Sequence, residues 1–212
     1  MLTACSTSGS RRVAPTVPPP STAPALSETV LSPAVIFGTL MSPAGDRRID
    51  SAAPFAEVGF FWSPSGAAAA GPAIVEFQRP TISPDCVDRV VLEFSVEAAF
   101  AGQTVAVYPA DPRVMATPVG AYLPDEYLID NRPRGVVTFQ GLRASSDITE
   151  LYRTYLGTGY FPSKGRRLPS NPPPNLVLAV QPQAATQPRT FRLVTPGTGD
   201  INSSLLRLSS RC

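Results

Sequence analysis

The sequence predicts an all-β protein, a sandwich of jelly-roll type that carries one short α-helix at about 148–156. Three observations predict it. From Ala34 onward, short apolar runs alternate with turn signals, the spacing of a chain built from many short strands. Within Arg89–Ala98 the alternation is strict: Val90, Leu92, Phe94, Val96 and Ala98 fall on one side, and Arg89, Glu93, Ser95 and Glu97 on the other, so this strand has one wet face. One stretch changes period. Ile148, Leu151, Tyr152 and Tyr155 recur at the i, i+3, i+4, i+7 spacing of a helix with one buried face. A chain of 212 residues with 43% hydrophobic content suits a single core of this kind with a tail.

The tail comes first. Met1-Leu2-Thr3-Ala4-Cys5 resembles a bacterial lipobox, in which the cysteine becomes the lipidated N-terminus; the other reading is an incidental cysteine, since no basic and apolar leader precedes it here. Ser6–Ser27 is rich in Ser, Thr and Pro without apolar periodicity and reads as an extended, disordered tether. Residues 1–30 are thus assigned to the tether and 31–212 to the single sandwich.

The strands follow in order: Ala34–Leu40, broken by Ser42-Pro43-Ala44-Gly45-Asp46, then Phe55–Trp62, ended by Ser63-Pro64-Ser65-Gly66. The Ala67–Ala70 run is too short for a helix, is flanked by glycines and reads as loop. Ala73–Gln78 and Arg89–Ala98 come next, and Thr104–Tyr108 is expected to form a hairpin with the latter across Ala101-Gly102-Gln103. Asp111–Arg134 is long and proline-bearing, an irregular connection with room for one edge strand at Ala121–Leu123. A strand from Gly135 then leads to the helix. Asp147 stands as its N-cap with Glu150 three residues on, a capping box, and Gly157 as its stop. Phe161–Pro174, with five prolines, is expected to be irregular. Asn175–Gln181, Thr190–Val194 and Ser204–Ser209 close the sandwich.

The order of these pieces resembles a known family. Asp147-Ile148-Thr149-Glu150-Leu151 with its aromatic, basic helix is similar to the D-V-T-x-L-V-x-x-W segment of DNRLRE-type domains, with Tyr155 where that family usually has Trp. Ala73–Phe77, Val87–Val96 and Thr104–Tyr108 resemble its early strands, and Asn175–Val180 and Ser204–Leu208 its last ones. These are β-sandwich modules, some classed as carbohydrate-binding, found on prokaryotic surface proteins and beside polysaccharide-degrading enzymes. The resemblance implies a non-catalytic extracytoplasmic module, on the bacterial envelope or secreted, that binds polysaccharide. The competing class is a structural or adhesive envelope protein that contacts another protein.

Composition narrows the chemistry. Histidine is absent, which removes the commonest general base, the Ser-His and Cys-His nucleophile pairs and most zinc sites. A formal charge of +2, nearly all of the basic side arginine, is too small and scattered for nucleic acid. No phosphate loop or nucleophile elbow occurs. Asp125 and Glu126 are adjacent, but nothing selects them as the facing pair a glycosidase needs. Asp46, Asp50 and Asp130 lack the spacing of a calcium loop. The reading is therefore no enzyme, no cofactor and no metal, with membrane contact only through a lipid on Cys5.

Three sets of residues remain as candidates. Trp62 and Tyr160 are strand-end or loop aromatics that stack on sugar rings if exposed and fill the core if not. Lys164, Arg166 and Arg167, with Arg132 and Arg134 on another loop, suit an anionic polymer, the alternative being solvated loops. Cys86 and Cys212 are either one bridge or two thiols. A bridge would close a loop of about 126 residues and contribute at most ~5 kcal/mol in the chain-entropy estimate.

Overall fold

The computed structural model describes residues 25–41, 47–50, 55–62, 68–95, 104–124, 126–138, 143–161, 166–167, 173–183, 189–194 and 205–212. Cys5, most of the tether, Lys164, Asp125 and Val96–Ala98 lie outside them. The strands are β1 (Ser27–Leu31), β2 (Val35–Met41), β3 (Arg47–Asp50), β4 (Phe55–Trp62), β5 (Ala68–Gly71), β6 (Ala73–Gln78), β7 (Val87–Ser95) and β8 (Thr104–Pro109). They continue with β9 (Gly135–Thr138), β10 (Arg143–Asp147), β11 (Tyr160–Phe161), β12 (Arg166–Arg167), β13 (Asn175–Pro182), β14 (Arg189–Val194) and β15 (Leu205–Ser210).

A four-stranded sheet has the order β1-β15-β7-β10 and a six-stranded sheet the order β3-β2-β6-β13-β8-β9; β14-β4-β5 and β11-β12 form two smaller ones. The described pairings are antiparallel. Eight strands, β1, β6, β7, β8, β9, β10, β13 and β15, pair first with eighth, second with seventh, third with sixth and fourth with fifth. That nesting is the strand order of a jelly roll.

The predicted hairpin between β7 and β8 does not form. β7 pairs with β15 and β10 in one sheet, and β8 with β13 and β9 in the other. In this nesting the third and fourth strands belong to opposite sheets. Of the Ala67–Ala70 run, expected to be loop, Ala68–Ala70 lie in the strand β5, whose Ala68 sits opposite Trp62. Small residues with little strand preference are held there by the ladder of β4. Ser27–Val30, placed by sequence in the tether, belong to β1, whose Ser27 faces Ser210 of β15.

β7 alternates as predicted: Val90, Leu92 and Phe94 are fully buried, and Arg89 is exposed. They join Leu206 and Leu208 of β15 and the inner residues of the larger sheet in one buried cluster. The strands β6, β8 and β13 differ, since consecutive residues Ala73–Val75, Val105–Val107 and Leu176–Val180 are all fully buried. Such strands are covered on both faces.

The helix α1 (Thr149–Arg153) widens into a π-helical turn at Thr154–Thr158. The predicted face is the buried one: Ile148, Leu151, Tyr152 and Tyr155 are at most 1% exposed, and Leu156 joins them. Both ends differ by a residue or two from the sequence reading. The first intrahelical bond runs from Tyr152 N–H to Ile148 O, so Ile148 occupies the cap position. Asp147 acts one residue earlier, accepting from the Thr149 N–H at 3.0 Å and hydroxyl at 2.6 Å. Glu150 does not reach back; its carboxylate lies 3.7 Å from Arg134. The stop is Gly159 rather than Gly157. Its φ of 60° is the left-handed conformation that glycine adopts without a Cβ clash.

Cys86 and Cys212 are bridged, with Cα atoms 5.5 Å apart. The bond ties the end of β15 to the start of its neighbour β7, where Arg211 N–H also donates to Cys86 O.

Candidate functional site

The candidate site is built on residues 111–134, the long connection that sequence left irregular. It behaves as a strap. Asp111 N–H donates to Tyr127 O and Ile129 N–H to Pro109 O, so both ends of the excursion are anchored on the extension of β8. Its apex reaches β3, at the opposite edge of the six-stranded sheet: Gly120 N–H donates to Ile49 O and Ile49 N–H to Ala121 O. The expected edge strand at Ala121–Leu123 is reduced to the single bridge between Arg48 and Tyr122.

The limb leaving β8 is fixed by Asp111, which is 3% exposed and must be paired to stay charged there. One carboxylate oxygen accepts from the Arg113 N–H at 2.9 Å, and both accept from the Arg113 guanidinium at 2.5 to 3.0 Å. Hydrogen bonding to Asp111, followed by its charge, raises the Arg113 pKa further above its ordinary value. Pro112 at the first position of the 3-10 turn Pro112–Ala116 preorganises the same limb.

The returning limb is fixed by Tyr127, whose hydroxyl accepts from Gln181 of β13, and by fully buried Asp130. Asp130 accepts from the Arg132 N–H at 3.0 Å and from the Arg134 guanidinium at 2.6 Å. Between the limbs lies a cleft of about 300 Å³ lined by Asp111, Arg113, Val114, Pro124, Glu126 and Tyr127. At the apex, the exposed Tyr122 ring carries the Arg48 guanidinium 4.5 Å from its centroid, and Arg48 also donates to the Tyr122 hydroxyl at 2.9 Å. Val119 is exposed beside it on the turn made by Gly120 (φ 80°).

The residues singled out from sequence are placed in three groups. Arg132 and Arg134 are on the returning limb: the Arg132 side chain is exposed, while that of Arg134 is half-buried and ion-paired with Asp130. Tyr160 pairs with Arg167, and Phe161 with Arg166, across β11 and β12, so the fold sets an aromatic strand directly against the two arginines. Trp62 ends β4. Lys164 and Cys5 lie outside the described residues.

Sequence reasoning missed the cleft. Glu126 stood out only as the neighbour of Asp125, Asp111 and Arg113 carried only the turn signal Asp-Pro, and no periodicity relates the two limbs. Among the described residues no helix is long and apolar enough to cross a membrane, and no group of three or more acidic, Cys or His side chains is placed to hold a metal. No protein-family model matches the chain, and a search of curated proteins returns no match.

Proposed function

We propose that this protein is a non-catalytic, extracytoplasmic surface module that binds polysaccharide, with the strap cleft as its contact. The observation that carries the reading is the cleft's composition. A sugar ring presents an apolar C–H face and a belt of hydroxyls; exposed Pro124, in a lining it shares with the buried Val114 and Tyr127, offers an apolar surface to the first, and Arg113 and Glu126 offer polar groups to the second. Tyr122 with Arg48 adds an exposed aromatic ring at the apex, and the DNRLRE-type resemblance points the same way. The disulfide fits an oxidising compartment, and a lipid on Cys5 would hold the domain at a membrane surface.

Two other readings have an observation each. Asp111 and Glu126 share the cleft, as a glycosidase pair would, but both oxygens of Asp111 are taken up by Arg113, a poor arrangement for an acid or nucleophile. An envelope protein that works through protein contacts is favoured by β1, an edge strand with Leu26 and Val30 exposed at its start and within it.

A glycan array probed with the full chain at low and high salt tests the proposal. Binding that falls in Tyr122→Ala or in Glu126→Ala is the expected result, with no new reducing ends released from the bound glycan. A folded protein that binds no glycan refutes it and turns attention to β1 and a protein partner.

A further inference from the structure

We infer that β1 docks a second copy of this chain, pairing antiparallel with its own counterpart across a two-fold axis in a register centred on Thr29. Among the described residues β1 pairs with β15 alone and ends the four-stranded sheet. The ladder fixes which of its backbone groups are left over. In β7 both polar backbone atoms of Val90 turn away from β15, the N–H to the Thr149 hydroxyl and the carbonyl to the Ile148 N–H. These groups alternate sides along a strand, so Val91 turns to Arg207 of β15, and Leu208 turns the opposite way, to Thr29 of β1. Ser27, Thr29 and Leu31 therefore bond β15, and the N–H and C=O groups of Glu28 and Val30 face outward.

That edge lacks the usual guards of lysine, proline or a bulge. Its register with β15 is unbroken, and Ala25–Ser32 holds neither proline nor lysine between Pro24 and Pro33. Its one charge, Glu28, is matched from within the sheet by Arg207 at 3.2 Å. Leu26 and Val30, 64% and 45% exposed, fall on one face by alternation.

The edge selects itself as partner by charge and length. Outward groups meet outward groups only when the pairing is centred on a residue, not between two. Centring on Glu28 sets two carboxylates directly opposite, which destabilises. Centring on Val30 leaves only Glu28–Ser32 paired before Pro33 intervenes. Centring on Thr29 sets each Glu28 against Val30 of the other copy, pairs the whole of Leu26–Ser32, and makes the two four-stranded sheets one. The contact is isologous, so it closes at two copies. The strap is pinned to β8 and β3, in the other sheet, so this inference does not rest on the sugar reading.

Sedimentation of the full chain over a ~100-fold range of concentration should show a monomer–dimer equilibrium. Val30→Pro removes one outward N–H per copy without touching a β15 bond, and should weaken the dimer by about tenfold or more. With Cys5→Ser throughout, Thr29→Cys should crosslink the copies on mild oxidation. Residue 29 faces its counterpart in a non-hydrogen-bonded pair whose Cα atoms are about 4.5 Å apart, within disulfide reach. Val30→Cys, set against residue 28, should not crosslink. A chain that stays monomeric across the range, a dimer as tight in Val30→Pro as in wild type, or a crosslink in Val30→Cys in place of Thr29→Cys overturns the inference. Should Val30→Pro fail to fold by circular dichroism, the two cysteine variants decide alone.

Discussion

Two tyrosines one turn apart on the helix should respond oppositely to the loss of a hydroxyl. Tyr155 and Tyr152 are both fully buried, but the Tyr155 hydroxyl donates to Ala110 O at 2.8 Å, whereas that of Tyr152 has no hydrogen-bond partner among the described residues. Replacing either by Phe keeps the ring in place. Tyr155→Phe deletes a buried bond and strands a carbonyl, a loss of about 1 to 2 kcal/mol. Tyr152→Phe removes a desolvated, unsatisfied group and should be neutral or stabilising by up to ~1 kcal/mol. For a domain of this size that is about 2 to 4 °C per kcal/mol.

Urea unfolding with the disulfide intact measures both, provided the slope is unchanged so that the midpoint reports stability. A second readout comes from pH. Burial pushes the Tyr152 phenol up to about 12 and raises that of Tyr155 as well. The unfolded chain therefore releases these protons from about pH 10, before the folded one does, and stability falls as pH rises above that value. Each Phe variant should lose less stability than wild type between about pH 10 and 11. A Tyr152→Phe loss of 1 kcal/mol or more, or two shifts of the same sign, would refute the reasoning.

The other predictions concern the staple and the helix ends. Cys86→Ser with Cys212→Ser should lower stability by up to ~5 kcal/mol, from a loop spanning 126 residues; a change under ~1 kcal/mol in the urea midpoint would mean that the β15 and β7 ladder holds the terminus alone. Gly159→Ala forces a Cβ into the left-handed region and should cost about 1 kcal/mol, while Gly157→Ala, whose Cβ would meet only Pro84 at 3.9 Å, should stabilise by about 0.4 to 1 kcal/mol. Equal effects at both glycines on thermal unfolding would contradict the stop at Gly159. Asp147→Ala removes the two hydrogen bonds from Thr149 at a half-exposed site and should cost about 0.5 to 1.5 kcal/mol. The Thr149 hydrogen bond, with help from Arg89, lowers the Asp147 pKa. Its contribution is therefore present above the unfolded carboxylate range and lost as pH falls through the folded value. Asp147→Asn should flatten the acid limb of stability below about pH 4, as followed by circular dichroism.

Local chemistry made much of the fold legible. Alternation in Val90, Leu92 and Phe94 named the buried face of β7, and helical spacing in Ile148, Leu151, Tyr152 and Tyr155 named the buried face of the helix, because each pattern is a property of one element. Asp147 was recognised as a helix-start residue but set one position off, since an Asx bond to Thr149 and a cap bond use the same side chain in nearly the same place. The bridge between Cys86 and Cys212 was one of two readings that counting allowed; adjacency of β7 and β15 decided it.

What sequence by itself determined is the period of β7 and of the helix, the side each of them buries, and the chemistry the chain lacks, above all histidine. Which strands are neighbours was a tertiary decision. β8 leaves its sequence neighbour β7 for β13, a choice that no local period encodes, and β6, β8 and β13 are buried on both faces in the result. The cleft belongs to the same level. Asp111, Arg113, Glu126 and Tyr127 come together only when the strap is pinned to β8 at its ends and to β3 at its apex, and the hydrogen bonds that pin it join residues far apart in the chain.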